Sequence, residues 1–273
     1  MKFDLIKYLS NNPLLQEAEA EDLATSFKKD VPSFRDDLAK YMADPKVKAI
    51  LKGGLADGDP DDDKLPYSTT TVAVKKLIPT QKEIGFDQSI QNLLDDKYGS
   101  LDSILAGNAN VGGPIVIYAG KYVIDGHHRW SQVYAGNPKA NMQALDIKPK
   151  QGFQPQDVLK AVHGAVAAEL DKVPASNPKG INIMTGVNYE GVLGKVQKYL
   201  TEPAAAVWAK YGFDSPEKVA KQLYQNLEQI VKNGHIAMAP GRIDMPQTDG
   251  EGSKSQDKMN ALAKGQINIT EPF

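Results

Sequence analysis

The stretch that decides the fold is YVIDGHHRWSQVYAG, Tyr122–Gly136. Its first three residues are apolar, aromatic or β-branched and predict a short strand, with Asp125 at the carboxyl end of that strand. Gly126 permits a tight turn or a positive φ. The residues after it predict a helix that ends at the final glycine. The stretch therefore predicts a strand that turns directly into a helix.

The first turn of the predicted helix carries His127, His128 and Arg129. Free backbone N–H groups and the helix dipole favour an anion at such a position, and arginine can hold two phosphate oxygens at once. Asp125 can hold Mg²⁺ that bridges those phosphates, or it can orient a histidine. A solvated turn whose histidines only cap and pack is an equally weighted interpretation of the same residues.

A metal site built from the two histidines is the weaker alternative. Adjacent side chains on a helix point about 100° apart, so they rarely bind the same ion. Zinc-binding histidines on a helix are usually spaced by three or four residues.

Around this turn the sequence predicts a compact α+β unit in the order β-α-α-β-β-α-β. Alternation and β-branched residues predict the first strand, periodic apolar positions predict the helices, and a turn at Ala119-Gly120 predicts a hairpin. The predicted elements are a strand at 70–79, a helix at 86–98, a short helix and glycine-rich turn at 101–113, the hairpin at 114–125, the helix from His127 to Gly136 and a strand at 141–148.

The predicted fold class is α+β, a small mixed-sheet domain flanked by α-helical regions at both ends. The predicted regions are a helical N-terminal part with an acidic linker at 1–66, the α+β domain at 67–150, a helical part at 151–245 and a flexible polar tail at 246–273. The linker LADGDPDDDKLP begins like a calcium loop. Asp62 and Ser68 stand where that loop needs glycine and glutamate, so a solvated linker is favoured. His163 is predicted to be a histidine at the edge of the helical core.

Composition narrows the function classes. The 273 residues carry a net charge of −2, which argues against coating nucleic acid through bulk positive charge. There is no cysteine, which excludes disulfides, thiolate metal sites and cysteine nucleophiles. No apolar run approaches the roughly 20 residues of a membrane-spanning helix, and the N-terminal residues are too polar for a signal peptide. We expect a cytoplasmic protein with no membrane partner.

The segment from Thr70 to Lys148 resembles the ParB/sulfiredoxin superfamily. VAVKKLIPTQKEIG is similar to the family's opening strand and loop. GGPIVIYAGKYVIDGHHRW is similar to its hairpin and signature turn, in which a strand, a glycine, two polar residues and an arginine lead into a helix. The resemblance implies the mixed-sheet fold of that superfamily, with a nucleotide or phosphate pocket at the turn.

The branches of the superfamily differ in the middle of this turn. Sulfiredoxin-like members carry a reactive cysteine where this chain has His127, so sulfinic-acid repair is excluded. Partition proteins carry Gly-Glu-Arg-Arg and bind a nucleoside triphosphate; Gly126 and Arg129 match that turn. Free-serine kinases carry Asp-Gly-His-Thr-Arg, which matches at Asp125 as well. The closest resemblance is to proteins termed ParB-like nucleases, whose turn is often Asp-Gly-His-His-Arg.

The resemblance also implies that the loop PTQKEIG, residues 79–85, lies against the same pocket. Glu83 is similar in placement to the acid that serves as the base in the kinase branch, and Lys82 would add a phosphate contact. An exposed loop is an equally weighted interpretation. Partition proteins carry an arginine in this loop, and its absence here counts against nucleotide clamping of the partition type.

These resemblances imply a nucleotide- or phosphate-binding protein that catalyses Mg²⁺-assisted phosphodiester or phosphoryl transfer, with ATP or CTP as the nucleotide. Asp125 would hold the metal, His127 or His128 would act as acid–base, and Glu83 would be the base. The predicted nucleotide-binding residues are Gly126, His128, Arg129 and Lys82.

Three alternatives stay open. A nuclease would take nucleic acid as its partner, although the near-neutral charge counts mildly against this. A small-molecule kinase would act on an alcohol. A non-catalytic nucleotide-binding or interaction protein would engage a protein partner through its helical flanks.

Overall fold

The computed structural model describes residues 38–40, 42–56, 58–59, 61–171, 181–182, 186–233 and 255–269. The elements in chain order are α1 (Pro45–Leu51), β1 (Tyr67–Ala73), a 3-10 turn (Val74–Lys76), β2 (Ile78–Pro79), β3 (Glu83–Ile84), α2 (Phe86–Leu94), α3 (Leu101–Leu105), β4 (Asn108–Ala109), β5 (Ile115–Tyr118), β6 (Tyr122–Asp125), α4 (His127–Gly136), β7 (Asn141–Ile147), α5 (Pro155–Leu170), β8 (Ile181–Asn182), α6 (Tyr189–Tyr199), α7 (Glu202–Lys210), α8 (Pro216–Lys232) and α9 (Ser255–Ala263).

The centre of the fold is a mixed sheet in the order β1-β7-β5-β6-β2, with β4 also paired to β7. Strands β1 and β7 are antiparallel, whereas β5 lies parallel to β7 and β2 lies parallel to β6. The predicted hairpin joins β5 to β6, and Ala119 and Gly120 both have positive φ, at 53° and 68°. Two consecutive positive φ values match the twist of paired strands. The α+β class with a mixed sheet is confirmed.

Helices cover both faces of this sheet. On one face, Ile115, Ile117 and Val123 join a core formed largely with α2, α3, α4, α6, α7 and α8. On the other face, Val116 and Ile124 join a core formed with α1, α5 and α9. Neighbouring side chains of a strand point to opposite faces, so β5 is apolar at every position because both faces are covered.

Helix α8 fixes the end of α4. Ser215 caps α8, its hydroxyl accepting from the Lys218 N–H, and Pro216 follows at the first helical position. The Asn226 side chain donates to the carbonyls of Ala135 and Gly136 over 2.7 and 3.2 Å. These last carbonyls of α4 would otherwise lack partners, so α8 and α4 are joined by polar as well as apolar contacts.

The predicted strand at 70–79 is wrong in its extent. Strand β1 ends at Ala73, a 3-10 turn follows, and the chain resumes as the short β2. Strand β1 pairs with β7 and β2 pairs with β6, and β5 lies between those two partners. One continuous strand cannot reach both places, so the chain must break between them.

The prediction of a solvated acidic linker is wrong for its last residues. Asp63 is fully buried, and its Oδ1 accepts from the Ile269 N–H over 2.7 Å. The Leu65 N–H donates to the Leu262 carbonyl over 3.0 Å. The last residues of the linker therefore pack against the segment 255–269.

The predicted flexible tail at 246–273 is wrong for residues 255–269. This segment contains α9 and buries Met259, Leu262, Ile267 and Ile269. These apolar residues stand in an otherwise polar stretch, and burial of a side chain of this size is worth about 1.5–3 kcal/mol. Most of the predicted N-terminal helical region lies outside the described residues.

Candidate functional site

The turn between β6 and α4 has the predicted conformation. Gly126 is left-handed, with φ 93° and ψ 26°, and it caps the helix that begins at His127. A Cβ at this position would lie 2.6 Å from Cγ2 of Ile115 and 3.1 Å from the Arg129 guanidinium. Both the backbone conformation and the close approach require glycine. The turn therefore places the start of α4 directly beside Asp125.

Asp125 is the centre of a group of charged side chains. Its Oδ1 accepts from the Gly126 N–H over 2.8 Å, and its Oδ2 forms an ion pair with the Lys258 ammonium of α9. Burial alone would raise the pKa of Asp125, but Lys258, Arg129 and His163 together hold this pKa well below its usual range. Asp125 is therefore ionised at neutral pH, and both of its oxygens have partners.

His163 approaches the same carboxylate from α5. Burial, reinforced by the nearby Lys258 ammonium, lowers the pKa of His163 from 6.5 to about 4, although Asp125 acts in the opposite direction. The imidazole is therefore neutral at pH 7. The predicted core-edge histidine is thus part of the Asp125 group, which the sequence did not indicate.

This arrangement predicts a pH dependence of stability. The unfolded chain protonates His163 below about pH 6.5, whereas the folded chain resists protonation until about pH 4. The contribution of His163 is thus fully present above pH 6.5 and is lost as the pH falls from about 6.5 to 4. We expect His163→Gln to flatten the free energy of unfolding across this window in urea titrations. An unchanged slope in that variant would contradict the assignment.

His127 has a structural contact. It is 6% exposed, and its Nε2 accepts from the Thr80 backbone N–H over 3.1 Å. The Thr80 hydroxyl lies 3.2 Å from the same nitrogen and donates to the Val123 carbonyl over 2.6 Å. An accepting Nε2 places the proton of the neutral ring on Nδ1. His127 thus ties the loop after β2 to the turn.

His128 is exposed and lies on the other side of the turn. Its imidazole packs on Gly85, where a Cβ would stand 2.1 Å from the ring carbon Cε1. The loop at 79–85 therefore contacts the turn through Thr80 at one end and Gly85 at the other. The resemblance implied that this loop lies against a pocket at the turn; the contact with the turn is present, and the pocket stays a prediction.

Glu83 and Lys82 lie in this loop and are half-buried. Glu83 belongs to β3, whose backbone pairs with Asn182 of β8. The proposed roles of Glu83 as a base and of Lys82 as a phosphate contact stay predictions.

Metal binding was predicted at Asp125. Among the described residues, no cluster of three or more histidine, aspartate or glutamate side chains is placed to hold a metal ion. Mg²⁺ usually takes one or two carboxylates and completes its shell with water and substrate phosphates. The role of Asp125 as a Mg²⁺ ligand is therefore neither required nor tested by this arrangement.

Lys258 is the residue that sequence reasoning missed. The sequence around it is rich in Gly, Ser, Asp and Lys, and this composition predicted a flexible tail. The available signal was the spacing of Met259 and Leu262, which places two apolar side chains on one face of a short helix.

Across the described ranges, no helix combines the length and apolarity that crossing a membrane requires.

A scan against protein-family models found no match to this chain, and searches of curated proteins and of solved structures found none either. The resemblance to the ParB/sulfiredoxin superfamily therefore rests on the residues of the segment 70–148 alone.

Proposed function

We propose that this chain is a ParB/sulfiredoxin-like protein that binds the phosphate groups of a nucleotide, ATP or CTP, at the turn between β6 and α4. The observation that carries the proposal is the left-handed Gly126, which brings the N-terminus of α4 and Arg129 to the carboxyl end of β6. Backbone N–H groups at a helix start and an adjacent guanidinium are a common phosphate-binding combination.

The surroundings of the turn support this assignment. The Arg129 guanidinium lies at the turn, 3.1 Å from the place of a Cβ on Gly126, and its charge helps to hold the pKa of Asp125 low. His128 is exposed beside it, and the loop that carries Lys82 contacts the turn through Gly85. A phosphate at the start of α4 would therefore meet a guanidinium, an imidazole and the helix dipole together.

The chemistry we propose is phosphoryl or phosphodiester transfer assisted by Mg²⁺. Both oxygens of Asp125 are taken, by the Gly126 N–H and by the Lys258 ammonium, so the nucleotide phosphates rather than Asp125 would hold the ion. Asp125 would instead orient His163, with whose imidazole it interacts electrostatically. His128 is the better acid–base candidate of the adjacent pair, because the Nε2 of His127 already accepts from Thr80. Glu83 would be the base in a kinase acting on a small alcohol, and nucleic acid would be the substrate of a nuclease.

Binding without catalysis is the second candidate function. Both oxygens of Asp125 and the Nε2 of His127 are already engaged within the protein. A bound nucleotide would then change the arrangement of the helical flanks, and a protein partner would bind to those flanks.

Arg129→Ala tests phosphate binding. We expect ATP or CTP to raise the melting temperature of the wild-type protein, by the equivalent of about 2.7 kcal/mol at a ligand concentration of 100 Kd. We expect Arg129→Ala to abolish this ligand-induced shift, because the bidentate phosphate contact is lost. The measurement is thermal unfolding with and without each nucleotide, in Mg²⁺ and in EDTA.

Lys139→Ala is the control, since Lys139 is exposed beyond the far end of α4. It should keep the full shift. If no nucleotide stabilises the wild type, the phosphate assignment is wrong. A nuclease gel and a phosphate-release assay on the wild type and Asp125→Asn then separate catalysis from binding.

A further inference from the structure

We propose that Lys258 is the resident cation of this site: it stays paired with Asp125 in the position that a divalent metal would take, and its charge, together with that of Arg129, attracts the ligand's anion. The inference rests on the proposed function, in which the turn between β6 and α4 binds phosphate. It assigns to the C-terminal helix α9 a part of the binding site that lies far outside the segment resembling the ParB/sulfiredoxin superfamily.

The position of Lys258 is fixed by the packing of α9. Its side chain is 6% exposed, whereas that of Asp125 is 33% exposed. The neighbouring Met259 and Leu262 are fully buried in the core shared with α5. The ammonium is therefore buried, whereas the carboxylate that it pairs with is partly exposed.

The charges at the turn favour an anion. One carboxylate, Asp125, interacts with two cations, Lys258 and Arg129. The group as a whole therefore keeps one positive charge in a partly desolvated place. The N-terminus of α4 adds a positive dipole end beside Asp125. A bound anion would neutralise the remaining positive charge of the group.

A metal ion at Asp125 would have to replace Lys258. Because Lys258 is buried and held by its apolar neighbours, removal of its counter-ion would leave an unpaired ammonium in the interior, which is strongly unfavourable. The lysine therefore takes the position that a magnesium ion would otherwise occupy, and a positive charge is supplied there by the chain itself.

The direction in which Asp125→Asn changes the affinity for phosphate distinguishes the two roles of Asp125. The amide keeps an oxygen that accepts from the Lys258 ammonium but removes the negative charge of Asp125, so the two cations are no longer offset. The variant should lose stability, because the buried ammonium loses its counter-ion, and binding is therefore measured at a temperature where circular dichroism shows it folded. We expect inorganic phosphate and ATP to bind this variant roughly tenfold more tightly than the wild type in EDTA. A carboxylate that held Mg²⁺ for the ligand would give the opposite result, namely weaker binding. Isothermal titration calorimetry of the full chain measures the affinity for inorganic phosphate and for ATP.

Lys258→Met is introduced into the Asp125→Asn background, so that no buried charge is left without a partner. We expect this double variant to bind phosphate about tenfold more weakly than Asp125→Asn alone, because one of the two cations is gone. Lys264→Met, on the same C-terminal segment but exposed, is the matched control and should leave binding unchanged.

The outcomes separate the two proposals. Binding that needs Mg²⁺ and weakens in Asp125→Asn overturns the role of Lys258 and leaves the phosphate site intact. Equal binding by the single and double variants also overturns it. Absence of binding in the wild type, with or without Mg²⁺, overturns both the phosphate site and the role of Lys258.

Discussion

Replacement of Trp130 by alanine is expected to lower the free energy of unfolding by about 3–5 kcal/mol. Trp130 is 1% exposed and lies on α4 immediately after Arg129. Its indole N–H donates to the Val74 carbonyl over 3.2 Å, and its ring centroid lies 5.4 Å from that of Tyr134. Alanine would leave a large cavity and a buried carbonyl without this donor.

The effect should reach the candidate site. The indole fixes α4 to the 3-10 turn that separates β1 from β2, and Arg129 extends from the same turn of α4. We therefore expect Trp130→Ala to lose nucleotide-induced stabilisation even at low temperature, where the protein is still folded. Urea denaturation followed by circular dichroism gives the stability, and titration with ATP gives the binding.

Trp130→Phe and Tyr98→Ala are the controls. Phenylalanine keeps much of the packing and loses the indole N–H, so a smaller loss of stability is expected. Tyr98 is 64% exposed, and its replacement should change the free energy of unfolding by about 0.5 kcal/mol or less. An equal effect of Trp130→Ala and Tyr98→Ala would show that α4 does not pack as described.

The hairpin and the turn after it could be predicted because local rules decide them. Gly126 is the residue that a left-handed cap requires, and the apolar run of β5 ends at a turn suited to paired strands. The helices from α4 to α8 are likewise defined by periodic apolar positions and by caps such as Ser215. Information of this kind lies within a few neighbouring residues.

The break after β1 could not be predicted in the same way. Residues 70–79 have the alternation of a single strand, and their propensities give no sign of an interruption. The interruption follows from the order of the sheet, in which β1 and β2 lie on opposite sides of β5. That order is set by long-range pairing, which overrides local preference.

The group around Asp125 was predictable only in part. Asp125, Gly126 and Arg129 stand together in the sequence, so a site at this turn was expected. His163 and Lys258 come from α5 and α9, and only the packing of those helices on the sheet brings them to Asp125. A histidine at the edge of a helical core and a lysine in a polar stretch carry no local sign of such a role.

Gly54→Ala tests the docking of the C-terminal segment that carries Lys258. A Cβ at Gly54 would lie 2.6 Å from the Gly265 carbonyl oxygen and 2.8 Å from the Ile267 carbonyl carbon. Both are backbone atoms, so the overlap cannot be relieved by turning a side chain. We expect a loss of about 1–3 kcal/mol in the free energy of unfolding, measured by urea denaturation.

Gly194→Ala is the matched control, with the opposite expected sign. Gly194 lies exposed within α6, and a Cβ there would meet nothing within 4 Å. Alanine should stabilise that helix by about 0.5–1 kcal/mol, because it restricts the unfolded chain and favours the helix. If both variants gained stability, the segment 255–269 could not be packed against Gly54.

The same variant separates the two parts of the proposed site. The atoms nearest a Cβ on Gly54 belong to Asp63, Gly265 and Ile267 and not to the turn at Gly126, so its replacement should leave Arg129 in place. It should nevertheless shift the segment that holds Lys258, whose neighbours Met259 and Leu262 pack in the same core. Phosphate binding that weakens in Gly54→Ala but not in Gly194→Ala would therefore mean that α9 contributes to the ligand. Unchanged binding in both would mean that Arg129 and the start of α4 hold the phosphate without it.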